Sequence, residues 1–407
     1  MLFIHTSDWH IGQSFYNYSR DDEHRYFAKH LREIVISHKP DALIVSGDIF
    51  DVSVPTVQAQ RLLVEMISSI HDACPQMKII IIAGNHDSAS RLDIHAPIWH
   101  HLNVEIIGTV NTDNPADNII KVTSADGKHV GNIVAVPYIA EYNYRRIGLT
   151  VCADEDSPEK MIGQFYQKLT DIAAEDNLPV VIAAHLAVNG CDSRGHDESK
   201  LSYHPLSMIG DGYDYLALGH IHHPATLKSG NMTARYCGTP FSLSFDEDFI
   251  HSVSVVSIDS HGTSPDITEI TIPSLKKTIT VPENPVDEQE TLKLVNDLPK
   301  SNGDYIRVNI LSDKPVNIAL RHKIEEILVD KGYRFCLVQA IPKSVVKRSE
   351  AKVETVNTET LRNTDPIEIA RSYYSSRYNG QPLPDYIEDC LKEAIVRADK
   401  ELREDSL

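Results

Sequence analysis

No apolar run in this chain reaches the roughly eighteen residues needed to cross a bilayer, which argues against a membrane-spanning helix. Nor does a basic, apolar leader with a cleavage signal open it. The first residues already read as a strand, so secretion is not expected. Cysteine is sparse: Cys74, Cys152, Cys191, Cys237, Cys336 and Cys390 stand far apart, and none has a metal-ligand spacing. Reduced thiols in a cytoplasmic protein are therefore expected instead of a disulfide framework. Basic residues are outnumbered 39 to 58, a formal charge of −19, which argues against a protein that grips nucleic acid alone through a basic face. It does not exclude a nuclease whose metal ions hold the phosphate and whose partner supplies positive surface. The sequence also lacks internal repeats and low-complexity tracts.

What is present is a set of five polar signatures, each closing an apolar run. Asp8-Trp9-His10 follows Leu2 to Ser7, and Gly47-Asp48-Ile49-Phe50-Asp51 closes Ala42 to Ser46. Gly84-Asn85-His86-Asp87 closes Lys78 to Ala83, His185 ends Pro179 to Ala184, and Gly219-His220-Ile221-His222 ends Tyr215 to Leu218. Short β-branched runs of this kind read as strands buried on both faces, and open α/β sheets gather ligands at the carboxyl ends of such strands. Another run, Asn132 to Val136, ends in Pro137-Tyr138 without a ligand, so the chemistry does not come with every strand end.

Aspartate, histidine and asparagine in this pattern point to a pair of divalent ions hydrolysing a phosphodiester. Such a pair needs a carboxylate touching both ions and enough imidazole and oxygen donors for two shells. Asp48 is the expected bridge. Asp8, His10 and His222 would complete one shell, and Asn85, His185 and His220 the other. Asp8 and His10, like His220 and His222, are two residues apart, so at an extended strand end both could lean to one face. Glycine at 47, 84 and 219 lets the backbone turn and approach the ions. His86, beside a ligand, is placed to act as general acid, with the Asp51 carboxylate orienting it. Taken singly, each signature could be a turn, a helix cap or surface histidine. Trp9 is expected in the core, and His100, His101 and His223 on the polar surface.

Residues 1–275 alternate strands with amphipathic helices near 20–36 and 56–70, as in a layered α/β domain. The prolines and acids of 281–289 suggest a boundary. Beyond it, 276–342 reads as a small β-α-β cap: strand 305–310, helix 315–330, strand 334–341. Residues 343–364 read as a linker. Residues 365–407 read as a helical tail whose stripe of Ile387, Leu391, Ala394, Ile395, Ala398 and Leu402 would dock on the core or on a partner.

The pattern D-x-H, G-D-x-x-D, G-N-H-D/E, a lone H and G-H-x-H resembles the calcineurin-like metallophosphoesterase family. The stretches 5–12 and 235–247 resemble, within it, bacterial nuclease subunits that act with a long coiled-coil ATPase. The resemblance implies two β-sheets flanked by helices and two manganese ions held by Asp8, His10, Asp48, Asn85, His185, His220 and His222, with His86 as the histidine after the asparagine. It further implies ATP-dependent 3′-to-5′ exonuclease action on duplex DNA, endonuclease action on single strands and hairpins in repair and recombination, and a cytoplasmic, nucleoid-associated location. A homodimer through the neighbourhoods of 56–70 and 89–102 also follows from it. One departure concerns Asp51, where archaeal and eukaryotic relatives often carry histidine. Two rival expectations are a free-standing enzyme for a small phosphomonoester or cyclic nucleotide, and a catalytically idle DNA-tethering scaffold.

Overall fold

Each apolar run becomes a strand in the computed structural model, which describes residues 1–94, 96–150, 157–191 and 202–343, with isolated positions between 367 and 392. Residues 1–341 form one compact unit. Its first sheet has six strands in the order Asp266–Thr271, Ser252–Ser257, Leu2–Thr6, Ala42–Ser46, Lys78–Ile82 and Val104–Ile107. The last four run parallel, and the 252–257 strand pairs antiparallel with both its neighbours.

The second sheet also has six, in the order Ala225–Ser229, Met232–Tyr236, Tyr215–Gly219, Val180–His185, His129–Val136 and Ile119–Thr123, with the central four parallel. Alternating side chains explain why these runs are apolar throughout. Phe3, Ile44, Ile80, Ile133, Val181 and Ala217 pack between the sheets. Ile4, Leu43 and Ile79 instead face the helices Asp21–His38 and Val57–Ala73. Val134, Ile182 and Leu216 face the helix Pro158–Ala174. The result is helix, sheet, sheet and helix in layers, with the parallel strands delivering their carboxyl ends to one edge. Trp9 is fully buried against Phe27, as expected.

The following module departs from the expected β-α-β. Thr278–Val286 is itself a strand, followed by a helix at Glu288–Asp297, a strand at Tyr305–Leu311, a helix at Ile318–Asp330 and a strand at Arg334–Ile341. Its sheet therefore has three parallel strands, and 281–289 lies inside the module. Pro282 and Pro285 are tolerated because this strand is an edge, paired on one side only.

The second unit spans Pro342–Leu407. Within it, Ile387 and Leu391 are helical, and Glu388 accepts two hydrogen bonds from Arg371 at 2.8 and 2.6 Å. Ala394, Ile395, Ala398 and Leu402, and residues 344–364, lie outside the described residues. No helix among the described residues is long and apolar enough to cross a membrane.

Candidate metal centre

The first two strands do not separate where their ladder ends. Asp8 N donates to Gly47 O at 3.0 Å, His10 N to Asp48 O at 3.0 Å and Ile11 N to Ile49 O at 2.9 Å. The two signature loops thus stay zipped together. Their backbone is not extended, however: Asp8 (φ 53°), His10 (φ 45°), Asp48 (φ 48°) and His220 (φ 95°) all lie on the left-handed side. This corrects the expectation of extended strand ends. The strands stop at Thr6 and Gly219, and left-handed turns aim the side chains. Each such L-residue costs on the order of 1–3 kcal/mol, which the surrounding hydrogen bonds must offset. Close approach also demands glycine: a Cβ at Gly84 would lie 2.1 Å from Asp48 Oδ1, and one at Gly219 1.8 Å from Ser46 O.

The predicted ligands converge as two clusters. Asp8, His10 and His222 present donor atoms within 4.8 Å of one another, and so do Asp48, His185 and His220. Asn85 joins the second cluster, its Oδ1 3.0 Å from His185 Nε2. Asp48 lies between the two, its Oδ2 3.7 Å from His10 Nε2 and 3.4 Å from His185 Nε2. His10, Asp51 and His86 form a third, overlapping set toward solvent.

Electrostatics favour a cation here. Both ring nitrogens of His10 are buried without a hydrogen-bond partner, although the Asp48 and Asp51 carboxylates lie 3.4 to 3.7 Å away. Buried polar atoms are seldom left so, and a bound ion is one of the few things that satisfies them. His185 Nδ1 lies 2.8 Å from Ser46 O and donates to it, which turns Nε2 toward Asn85 Oδ1 and Asp48 Oδ2. Three acceptors facing one another require a proton or a metal. Burial works against charge on His185, yet the Asp48 and Asp8 carboxylates outweigh it and lift the imidazolium to about 9. Burial would likewise raise Asp48, but His185, His10 and His86 hold it well below the usual carboxylate range. Neutral imidazole, carboxylate and amide oxygen form a donor set suited to first-row divalent ions.

His86 is exposed, its ring edge-on to His10 at 4.9 Å. Its Nδ1 lies 2.8 Å from the backbone oxygen of Asp51, not from the carboxylate expected to orient it. That carboxylate turns instead to His10 Nδ1, 3.4 Å away. His86 N also donates to Asp48 Oδ1 at 2.9 Å.

Three participants were missed in the sequence. Glu247, buried to 3% exposure, has Oε1 2.9 Å from His222 Nδ1. Its Oε2 accepts from Thr239 Oγ1 at 3.1 Å and Leu243 N at 2.9 Å. A carboxylate on the far nitrogen fixes the tautomer and aim of a metal-binding imidazole. Burial pushes Glu247 up, but the His222 hydrogen bond leaves it lowered. Asp87 ties two signature loops together, accepting from Gly84 N at 2.8 Å, Ile49 N at 3.0 Å and Phe50 N at 2.9 Å. Its place in the Gly84–Asp87 signature was the available signal. Tyr138, at the strand end read as carrying no ligand, brings its ring to 6.3 Å from His185 and 6.5 Å from His220 as a wall of the site.

Comparison with known proteins shows which nucleases the chain is similar to. The chain is 29% identical over 338 residues to SbcD, the nuclease subunit of SbcCD, from Rhodobacter capsulatus, covering 78% of this chain and 82% of that one. It is 26% identical over 380 residues to SbcD of Escherichia coli K12, covering 89% of each. SbcD of Bacillus subtilis is 32% identical over 268 residues, 63% of this chain and 66% of that one. The calcineurin-like phosphoesterase model matches residues 1–224, and the chain belongs to that family.

Proposed function

We propose that the chain is the nuclease subunit of an SbcCD-like complex, hydrolysing DNA phosphodiesters with two divalent ions, manganese by resemblance. The observation that carries this reading is the place of Asp48, within 3.4 to 3.7 Å of a ligand in each cluster. Asp8, His10 and His222 would hold one ion and Asn85, His185 and His220 the other, with Asp48 on both. Bound ions supply an activated water and neutralise charge on the phosphate oxygens. The protein's own part is orientation and proton delivery. With Nδ1–H donated to Asp51 O, Nε2 of His86 is left for the departing alkoxide, and a ring that carries a second proton on Nε2 would hand it to the alkoxide and return to the neutral Nδ1–H form. Asp51 restrains the His10 ring from the solvent side.

The charge of −19 supports a division of labour in which a coiled-coil ATPase of the SbcC type supplies basic surface for DNA. On this reading cleavage is ATP-dependent, 3′-to-5′ on duplex ends and endonucleolytic on single strands and hairpins, in the cytoplasm at the nucleoid. The tail beyond residue 365 is the proposed dock for the ATPase. A homodimer through the neighbourhoods of 56–70 and 89–102 is supported by Val57, Ile94 and Ile98, apolar side chains 75%, 70% and 67% exposed.

Manganese, a blocked-end DNA duplex and p-nitrophenyl phosphate, offered with and without the ATPase, test the reading. Duplex degradation that needs both manganese and the ATPase with ATP is the expected result. Turnover of p-nitrophenyl phosphate alone would instead identify a small-substrate phosphoesterase, and no hydrolysis of either a scaffold.

A further inference from the structure

The first turn of the helix Asp21–His38 is a hub between the 278–341 module and one half of the metal site. On the module's side, Tyr305 donates its hydroxyl to Glu23 Oε2 at 3.1 Å, and Arg334 Nη1 lies 3.8 Å from the same oxygen. Glu23 Oε1 accepts from Arg20 Nε at 2.7 Å. Arg20 is 1% exposed, a charge enclosed by the rings of Phe15, Phe241 and Tyr305 at 4.9 to 5.1 Å. Its Nη1 donates to Ser242 O at 2.9 Å, which pins the loop leading to Glu247, the carboxylate that aims His222. A second arm leaves the same turn. His24 places its ring nitrogens 2.9 Å from Arg20 O and 2.8 Å from Trp9 O, and Trp9 sits between Asp8 and His10.

Both arms end on the Asp8, His10 and His222 cluster. The other cluster is fastened differently, by Ser46 O behind His185 and by Asp87 behind Gly84. A disturbance of the module's contact with the hub therefore reaches the Asp8, His10 and His222 position first, and the other only through the shared Asp48 and through His220 N, which donates to Asp8 Oδ1 at 3.0 Å.

We propose that Glu23, together with Arg20, is a positioning residue that couples the 278–341 module to the Asp8, His10 and His222 ion position in preference to the other. The inference rests on the two-ion reading above. Burying a guanidinium and a carboxylate is costly unless each is fully paired, so the pair tolerates only a narrow range of module positions. Moving the module breaks that pairing, relaxes the Ser242–Glu247 loop and loosens His222.

Manganese titration of the full chain by calorimetry, with electron paramagnetic resonance to tell a coupled ion pair from a lone ion, tests this in Glu23→Gln and the milder Tyr305→Phe. Gln339→Ala, which removes a contact to Asn309 inside the module, is the control. The expected result is about a tenfold weakening of one site, at the low end of the range for supports behind a metal ligand, with the other moved less than about twofold and the pair signal reduced. In the control both sites stay as in the parent. Equal weakening of both sites, no change at either, or the same loss in Gln339→Ala overturns the coupling. A parent chain that takes up fewer than two ions removes the two-ion reading instead, and this proposal with it.

Discussion

The two halves of the metal site are held by different means. In the Asn85, His185 and His220 half, much of the support is backbone: His185 rests on Ser46 O, and adjacent parallel strands set the spacing. In the Asp8, His10 and His222 half, backbone zips Asp8 and His10 to the 47–49 loop, but the aim of His222 comes from side chains of distant segments. Glu247 stands 25 positions beyond His222, and the Arg20 bond to Ser242 spans 222 positions. Strand backbone fixes a ligand as firmly as the sheet itself, whereas a relay of side chains can be altered without unfolding anything. One half is therefore held by the sheet, and the other depends on contacts that a single side-chain change can alter.

Asp48 belongs to both halves, so its removal should erase the contrast. Asp48→Ala is expected to abolish hydrolysis and to lower occupancy at both positions, more than His10→Ala does. Elemental analysis showing both ions fully retained would defeat the bridging assignment. His86→Gln should do the reverse, keeping both ions and DNA binding while losing about 10²–10⁴-fold in rate. Loss of metal in that variant would put His86 among the ligands.

The same contrast marks what was legible in the sequence. The seven residues proposed as ligands could be read as one converging set, because each ends an apolar run whose period and length identify a buried strand. Their aim could not. Left-handed backbone at Asp8, His10, Asp48 and His220 is a conformation that aspartate and histidine enter more readily than most residues, but too seldom for the residue type alone to reveal it. Glu247 and Arg20 act through contacts between segments far apart in the chain, in stretches without periodicity. In the second module the edge strand was hidden by its two prolines. The short helix after it was announced by Asp287, which caps Gln289 N and Glu290 N at 2.9 and 3.0 Å, a signature of an N-terminus passed over among the acids.

Glu247 offers a sharper cut between the halves than Asp48. Glu247→Gln keeps the shape but leaves His222 Nδ1–H without its carboxylate, so one ion should bind about 10–100-fold more weakly while the other is held as before. Equal affinities for both ions in parent and variant, measured by calorimetry, would show that His222 needs no such support.

Acid should also disturb the side-chain half, through His24. Burial, with Arg20 beside it, lowers this imidazole to about 4, against the Trp9 and Arg20 carbonyl oxygens, only one of which a neutral ring can satisfy and both of which favour the charged form. The folded state therefore keeps His24 neutral where the unfolded chain, titrating near 6.5, already binds a proton. By linkage, the stability from a neutral His24 is fully present above about 6.5 and is lost as pH falls toward 4. Between pH 7 and 5.5 that loss is about 1 kcal/mol. Urea unfolding at the two pH values should show the parent chain losing this much more than His24→Gln, in which no proton is taken up. If the two chains lose the same stability on acidification, His24 is not the group that carries the acid sensitivity of this half of the site.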